Sequence, residues 1–386
     1  MLPCAMPNAP LRLAATCGAG LEELLAGELR GLGVEGIERE RGAVTFVGDR
    51  AAVYRANWRL RTANRVLIEL GSFPAADGDA LWAGAAALVR GAAGELLSPD
   101  RSFAIHASSS ASAVRDTRWA ALRAKDGIVD AQRERWGKRA SVVRERPDLP
   151  LRLRLHRDRA TLLLDTSGEP LDRRGYRVQT TTAPLREQLA AACILAADWN
   201  GRGPVVDPMC GSGTFLAEAA SIALGRAPAA LREAAGFAFA FERFADFDRA
   251  LFDRVRSEPL AAPGPEVRLF GNDRSEEALA AARRNLERAG LLERTTLRRG
   301  EAAELEAPPG GPGLLCVNPP YGARIEEDEA QWTALGDLLK RRFAGWKAVV
   351  LAGGESRGKH IGLRPRRKLP VQNGPLAARI LVFDLY

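Results

Sequence analysis

The sequence predicts two successive α/β regions, the second built on a doubly wound, mostly parallel sheet. Three observations carry this. From Ala183 onward, short apolar runs (PVVD, VRLFGND, LLCVNPP, AVVLAGG, ARILVFDLY) alternate with long helical stretches. The first of those runs passes through a Gly-Ser-Gly turn straight into a helical segment. Ahead of Ala183, leucines at helical spacing give way to segments that alternate with period two. The 386 residues suit two or three domains at roughly 100–200 residues each.

Taken in order, GLEELLAGELRGLG places Leu21, Leu24, Leu25, Leu29 and Leu32 on one helical face. GAVTFVGD alternates like a half-buried strand, a helix carries Val53 to Trp58, and NRVLIELG reads as another strand. SFAIHA is strand-like, TRWAALRAKDGIVDAQRERWG is a basic helix, and LRLRLHRDRATLLLDTSG is a hairpin. In that hairpin Arg152 and Arg154 alternate with leucines, so they share a strand face and predict a positive stripe. The turn-rich, basic GEPLDRRGYR suits a linker.

Composition excludes several classes. Apolar residues make up 46% and charged ones 27%, ordinary for a globular protein. No run approaches the ~20 apolar residues of a membrane span. The start, MLPCAMPNAP, lacks a basic region and an apolar core and reads as a short tail, not a signal peptide. Cys4, Cys17, Cys193, Cys210 and Cys316 form no C-x-x-C pair, and only three histidines are present. No metal site is expected, and the chain reads as cytoplasmic. Net charge is +8, and 14 basic against seven acidic residues fall between Arg115 and Arg159. A second cluster holds Arg357, Lys359, Arg364, Arg366, Arg367 and Lys368. Such clusters attract phosphates, or are simply solvated arginine-rich surface.

The chemistry concentrates in three segments. Val205-Val206-Asp207-Pro208-Met209-Cys210-Gly211-Ser212-Gly213-Thr214 makes a strand–turn–helix junction of the kind that holds nucleotides, the alternative being a purely structural turn. It lacks the Lys-Ser/Thr of a triphosphate loop and the G-x-G-x-x-G of a dinucleotide fold. The next strand ends in Asp273, placed to accept from both ribose hydroxyls, with Ser275 as the candidate N-cap behind it. Asp207 and Asp273 lie 66 positions apart, so about 225–265 is an insertion. Glu301, followed by Ala302, could reach an adenine, or be a surface acid. Finally, Asn318-Pro319-Pro320-Tyr321 follows an apolar strand. Two prolines stiffen the backbone, the Pro319 carbonyl and the Asn318 amide oxygen both accept, and Tyr321 offers a stacking face. Two acceptors converging on one nitrogen suit an exocyclic amine, held so that its lone pair faces an electrophile.

With these segments in view, the chain resembles the bacterial large-subunit (23S) rRNA guanine-N2 methyltransferases that carry a THUMP domain. The similarity runs from about Leu11 to Tyr386 through FAIHAS, VRDTRWAALRAKDGIVDA, RGYR, APLREQLAAAC, VVDPMCGSGTFLAEAA, FGNDRSEEALAAARRNLERAG, VNPPYGARI and KLPVQNGPLAARILVFDL. The resemblance implies a ferredoxin-like subdomain at 11–70, a THUMP RNA-binding domain at 71–167, a linker at 168–182 and a Rossmann-like class I methyltransferase domain at 183–386. It implies S-adenosyl-L-methionine as cofactor, with Asp207, Met209, Cys210, Gly211, Ser212, Gly213 and Thr214 on the methionine side, Asp273 at the ribose, and Glu301 and Ala302 near the adenine. Asn318, Pro319, Pro320 and Tyr321 would hold the target guanine, and Arg115, Arg118, Arg123, Lys125, Arg152 and Arg154 the RNA. The implied partner is rRNA, naked or in a ribosome assembly intermediate; no membrane contact and a monomer are the default. One departure is that Glu301 stands where relatives carry Asp. A tRNA guanine-N2 methyltransferase is the nearest alternative, followed by an adenine-N6 DNA methyltransferase and an inactive RNA-binding protein.

Overall fold

A computed structural model describes residues 10–91, 93–180, 184–260, 267–320, 329–353 and 359–386. Among them the strands form two seven-stranded sheets. The first half runs β1 (Leu11–Cys17), α1 (Glu22–Gly31), β2 (Glu35–Glu40), β3 (Ala43–Gly48), α2 (Arg50–Arg59) and β4 (Ala63–Pro74). It continues through α3 (Gly78–Arg90), β5 (Phe103–Ser110), α4 (Thr117–Trp136), β6 (Leu149–His156) and β7 (Arg159–Asp165). Its strand order is β2-β3-β1-β4-β7-β6-β5, so the two units expected at 11–70 and 71–167 share one sheet. Strand β4 joins them. It runs three residues past the expected NRVLIELG, pairs antiparallel with β1 along one edge and with β7 along the other, and bulges between Glu69 and Gly71. Helix α4 starts where Asp116 accepts from the N–H groups of Arg118 and Trp119, and ends at Gly137 with a left-handed φ of 68°. It packs on α3 closely enough that a Cβ at Gly127 would lie 2.2 Å from the Trp82 carbonyl oxygen.

The second half runs α5 (Glu187–Ala196), β8 (Val205–Asp207), α6 (Thr214–Ala223), α7 (Arg249–Ser257), β9 (Leu269–Asp273), α8 (Glu276–Arg288) and β10 (Thr295–Arg299). It then adds β11 (Leu314–Val317), α9 (Glu329–Arg342), β12 (Lys347–Gly353), β13 (Arg367–Asn373) and β14 (Leu376–Asp384). The strand order is β10-β9-β8-β11-β12-β14-β13, parallel from β10 to β12, with β14 and β13 antiparallel. From β8 the chain winds out through β9 and β10, then returns to place β11 on the other side. That reversal leaves a crevice at the carboxyl ends of β8, β9 and β11, where ligands of such sheets bind. Every residue of β8 and β11 is buried, which explains their continuous apolar character.

The segment between α6 and β9 docks the two halves. Phe241 lies 4.6 Å from the Tyr54 ring of α2, Phe239 stacks on Phe241 at 4.9 Å, and Phe252 meets Tyr54 and Trp58 edge-on. The Asp248 N–H donates to the Tyr54 hydroxyl at 3.1 Å, and Glu258 pairs with Arg55 and Arg59. Phe241→Ala should therefore destabilise the chain by about 3–5 kcal/mol, the usual consequence of deleting a buried aromatic ring. Thermal unfolding reads the effect, and an unchanged midpoint would show that the aromatic cluster does not hold the halves together.

Candidate active site

The turn after β8 is braced from behind. The Asp207 side chain is buried, accepts from the Met209 N–H at 3.1 Å, and has its carboxyl pushed well up by burial. Asn272, also buried, donates to the carbonyls of Pro208 (3.1 Å) and Gly300 (2.9 Å), and its own carbonyl accepts from the Cys210 N–H. Asp273 ties the turn to the next strand: its Oδ2 accepts from the Gly211 N–H and its Oδ1 from the Ser275 N–H, both at 2.9 Å. Gly211 and Gly213 have φ of 51° and 81°, a region side chains disfavour. Ser275 accepts from the Ala278 N–H, the N-cap expected of it. Burial raises the thiol pKa of both Cys210 and Cys316, so these cysteines stay protonated and are poor nucleophiles.

In front of the turn lies a cavity of about 420 Å³. Met209, Gly211, Asp273, Glu301 and Ala302 line one part of it, and Asn318, Pro319 and Pro320 another. Segments distant in sequence thus meet at the crevice. Asp207, Cys210, Ser212, Gly213 and Thr214 are not on the wall; they are support for those that are. Tyr321 lies outside the described residues. Sequence reasoning missed Gln331 of α9 and Asn373 and Leu376 at the tip of the β13–β14 hairpin, all of which line the cavity. The only advance trace of Asn373 and Leu376 was the turn signal NG within KLPVQNGPL, and Gln331 left none.

Two features bear on what the cavity takes. The Asn318 Oδ1 is buried without a hydrogen-bond partner among the described residues, an arrangement that stabilises nothing until a donor arrives. The Asp273 carboxylate spends one acceptor position per oxygen on backbone, and a carboxylate offers about four, so it retains capacity for hydroxyl groups. Acid at the ends of β9 and β10, an open glycine edge and a separate amide acceptor fit a nucleoside cofactor beside an amine-bearing base. Among the described residues no group of acidic, histidine and cysteine side chains could hold a metal ion.

The basic residues divide. Arg152 is paired with Asp165 at 3.0 Å, a carboxylate that Arg65 also meets at 2.5 Å, and Arg154 is paired with Glu40 at 2.7 Å. The expected positive stripe on β6 is therefore reduced by its neighbours: Glu40 cancels Arg154, while Asp165 is shared between Arg152 and Arg65. Arg123 pairs with Asp79 and Lys125 with Asp126. Arg115 and Arg118 are exposed and carry no acidic partner among the described residues, and beside them Trp119 and Leu122 are 43% and 55% exposed. In the C-terminal cluster Arg366 pairs with Asp198 and Asp384, and Arg367 with Glu23; Arg357 lies outside the described residues.

Known proteins place these features in a family. A ferredoxin-like domain model of RlmL type matches residues 12–67, a THUMP domain model 79–165, and an RMKL-like methyltransferase domain model 174–380. A putative RNA methyltransferase, slr0064, of Synechocystis sp. is 36% identical over 377 residues, covering 96% of both chains. Ribosomal RNA large subunit methyltransferase K/L of Syntrophotalea carbinolica is 40% identical across 98% of this chain but only 54% of its own length, so the chain spans about half of such relatives. The crystal structure of SMU.472, a putative methyltransferase complexed with SAH, superposes with a TM-score of 0.88 at 30% identity, covering 99% of each chain. No helix among the described residues is long and apolar enough to cross a membrane. A crevice at the switch point of a parallel sheet, behind a THUMP domain, in a chain whose residues 174–380 match the methyltransferase model and 96% of whose length matches a relative covered to the same extent, settles the kinship: this chain belongs to the RMKL-like family of S-adenosylmethionine-dependent methyltransferases.

Proposed function

We propose that the protein methylates the exocyclic N2 amine of a guanine in large-subunit rRNA, using S-adenosylmethionine. The observation that supports this most is the buried Asn318 Oδ1, without a partner among the described residues, in the same cavity as Asp273. When bound, the cofactor supplies an electrophilic methyl group on a sulfonium. The chain's own residues supply orientation. Asp273 would accept from the ribose, and Glu301 and Ala302 would hold the adenine end. Asn318 Oδ1 and the Pro319 carbonyl accept the two hydrogens of the target amine. That leaves the nitrogen lone pair directed along one axis, and no strong base is needed to activate it, because the extra proton would leave the methylated ammonium for solvent after transfer. Pro319 and Pro320 keep those acceptors from turning away.

The rRNA assignment draws support from the names of the K/L relatives and from the THUMP region, with α4 as the binding face. Arg115 and Arg118, without acidic partners among the described residues, offer charge, and the exposed Trp119, whose Cη2 and Cζ2 lie against Gly78 of α3, offers a stacking surface to a base. Arg118→Ala should weaken RNA binding and reduce the magnitude of its salt dependence by about one charge, and Trp119→Ala should lower affinity by ~1–3 kcal/mol. Arg152→Ala, which removes an internally paired charge, should leave affinity within about twofold of wild type. Filter binding at several salt concentrations separates these; equal losses at Arg118 and Arg152 would move the RNA face to the sheet.

The deciding test incubates the protein with labelled S-adenosylmethionine and, in parallel reactions, 23S rRNA, tRNA and DNA from a strain lacking it, followed by nucleoside analysis. N2-methylguanosine is the expected product. Label in tRNA alone, or in N6-methyladenine of DNA, would overturn the assignment.

A further inference from the structure

The glycine turn is held by a side chain that precedes the methyltransferase sheet. Arg177 lies in the stretch expected to be a linker. Its Nε donates to Glu187 Oε1 at 2.8 Å, its Nη1 to Ser212 Oγ at 2.9 Å, and its Nη2 to the Leu185 carbonyl at 2.8 Å and Thr214 Oγ1 at 2.9 Å. The next two residues continue the attachment. The N–H groups of Val178 and Gln179 both donate to Asn285 Oδ1, and Asn285 Nδ2 donates in turn to the carbonyls of Gln179 and Ser212. Ser212, Thr214, Glu187 and Asn285 are all buried, and the Arg177 side chain is only 14% exposed. Ser212 and Thr214 do not reach the cavity, whereas Met209 and Gly211 on the same turn do. The hydroxyls of the turn are spent on Arg177, and its backbone edge is presented to the ligand.

We propose that Arg177 is a positioning residue for the cofactor, holding residues 211–214 in their binding conformation through Ser212 and Thr214. This rests on the reading that the cavity takes S-adenosylmethionine. A turn with two positive-φ glycines has many conformations when free, and fixing it only on binding subtracts that entropy from affinity. Arg177 fixes it during folding. The role requires a planar fork: a lysine would neutralise Glu187 but could not meet Leu185, Ser212 and Thr214 together. A purely structural role, neutralising the buried Glu187, predicts the opposite ranking of variants.

The test is calorimetric binding of S-adenosylhomocysteine, with a thermal melt of each variant. Arg177→Lys should raise Kd tenfold or more. Glu187→Gln, which keeps the bonds to Ser212 and Thr214, should lower the melting temperature and leave Kd within about threefold. Ser212→Ala combined with Thr214→Val removes the acceptors without stranding a charge; it should match the Kd of Arg177→Lys, and joining all three changes should add little more. In the ligand-free protein, amides of residues 211–214 should exchange at least tenfold faster in Arg177→Lys. A Kd within twofold of wild type for the Ser212→Ala/Thr214→Val variant, or losses that simply multiply, would overturn the proposal. Failure of the wild type itself to bind S-adenosylhomocysteine would instead remove the cofactor reading, and the role of Arg177 with it.

Discussion

Asn318→Ala should lower single-turnover methyl transfer by about 10²–10³-fold, the scale seen when one preorganised polar contact to the reacting group is deleted. Folding and cofactor affinity should survive. The side chain leaves the fully buried β11 and is followed at once by Pro319 and Pro320, so its direction is set by a stiff backbone. Its Oδ1 is buried with no partner among the described residues, and a buried acceptor without a donor costs about 1–3 kcal/mol. Removing it should leave the ligand-free protein as stable as before, or more so. That outcome separates catalysis from structure, because an asparagine that merely starts a turn would destabilise the fold when lost. Asn318→Asp keeps an acceptor and should retain more activity than alanine. Near-wild-type turnover in a folded Asn318→Ala protein would end the amine-holding role.

The parts of the fold legible in the sequence are those where one local signal suffices. Strands β8, β11 and β12 are apolar runs bounded by turns, and α4 has an Asp before it and a Gly after it. Strand β13, RKLPVQN, was hidden because a sheet edge tolerates Pro370 and exposed charges that would argue against a central strand. The continuity of the first sheet was hidden too, since β4 pairs with β7 about a hundred residues away. The site divides the same way. Glycine turn, strand-end acid and Asn-Pro-Pro each announce local backbone geometry, and all three reach the cavity. The arginines do not announce theirs. Arg152 and Arg177 look alike as cations in basic stretches, yet one pairs with a carboxylate it shares with Arg65 and the other braces the turn. Which acid or hydroxyl an arginine meets is a property of tertiary pairing, and composition carries no trace of it.

Asp273→Ala should weaken S-adenosylmethionine binding by at least 10–100-fold, because hydrogen bonds to a charged acceptor contribute ~1.5–3 kcal/mol each and 1.4 kcal/mol is tenfold in affinity. The geometry gives the carboxylate two roles. It holds the turn by accepting from the Gly211 N–H, and it faces the cavity where ribose hydroxyls would lie. Asp273→Asn probes the bracing role, since two backbone N–H groups, from Gly211 and Ser275, converge on the side chain, and an amide must point its own donor at one of them. Its affinity should fall nearly as far as that of alanine despite the conserved shape. The ribose-binding role calls for a ligand change. Wild type should bind an S-adenosylhomocysteine analogue lacking both ribose hydroxyls at least tenfold more weakly than the parent compound, whereas Asp273→Ala should bind the two alike. Should the mutant still discriminate between them as the wild type does, Asp273 is a brace for the turn alone, and the ribose is held elsewhere.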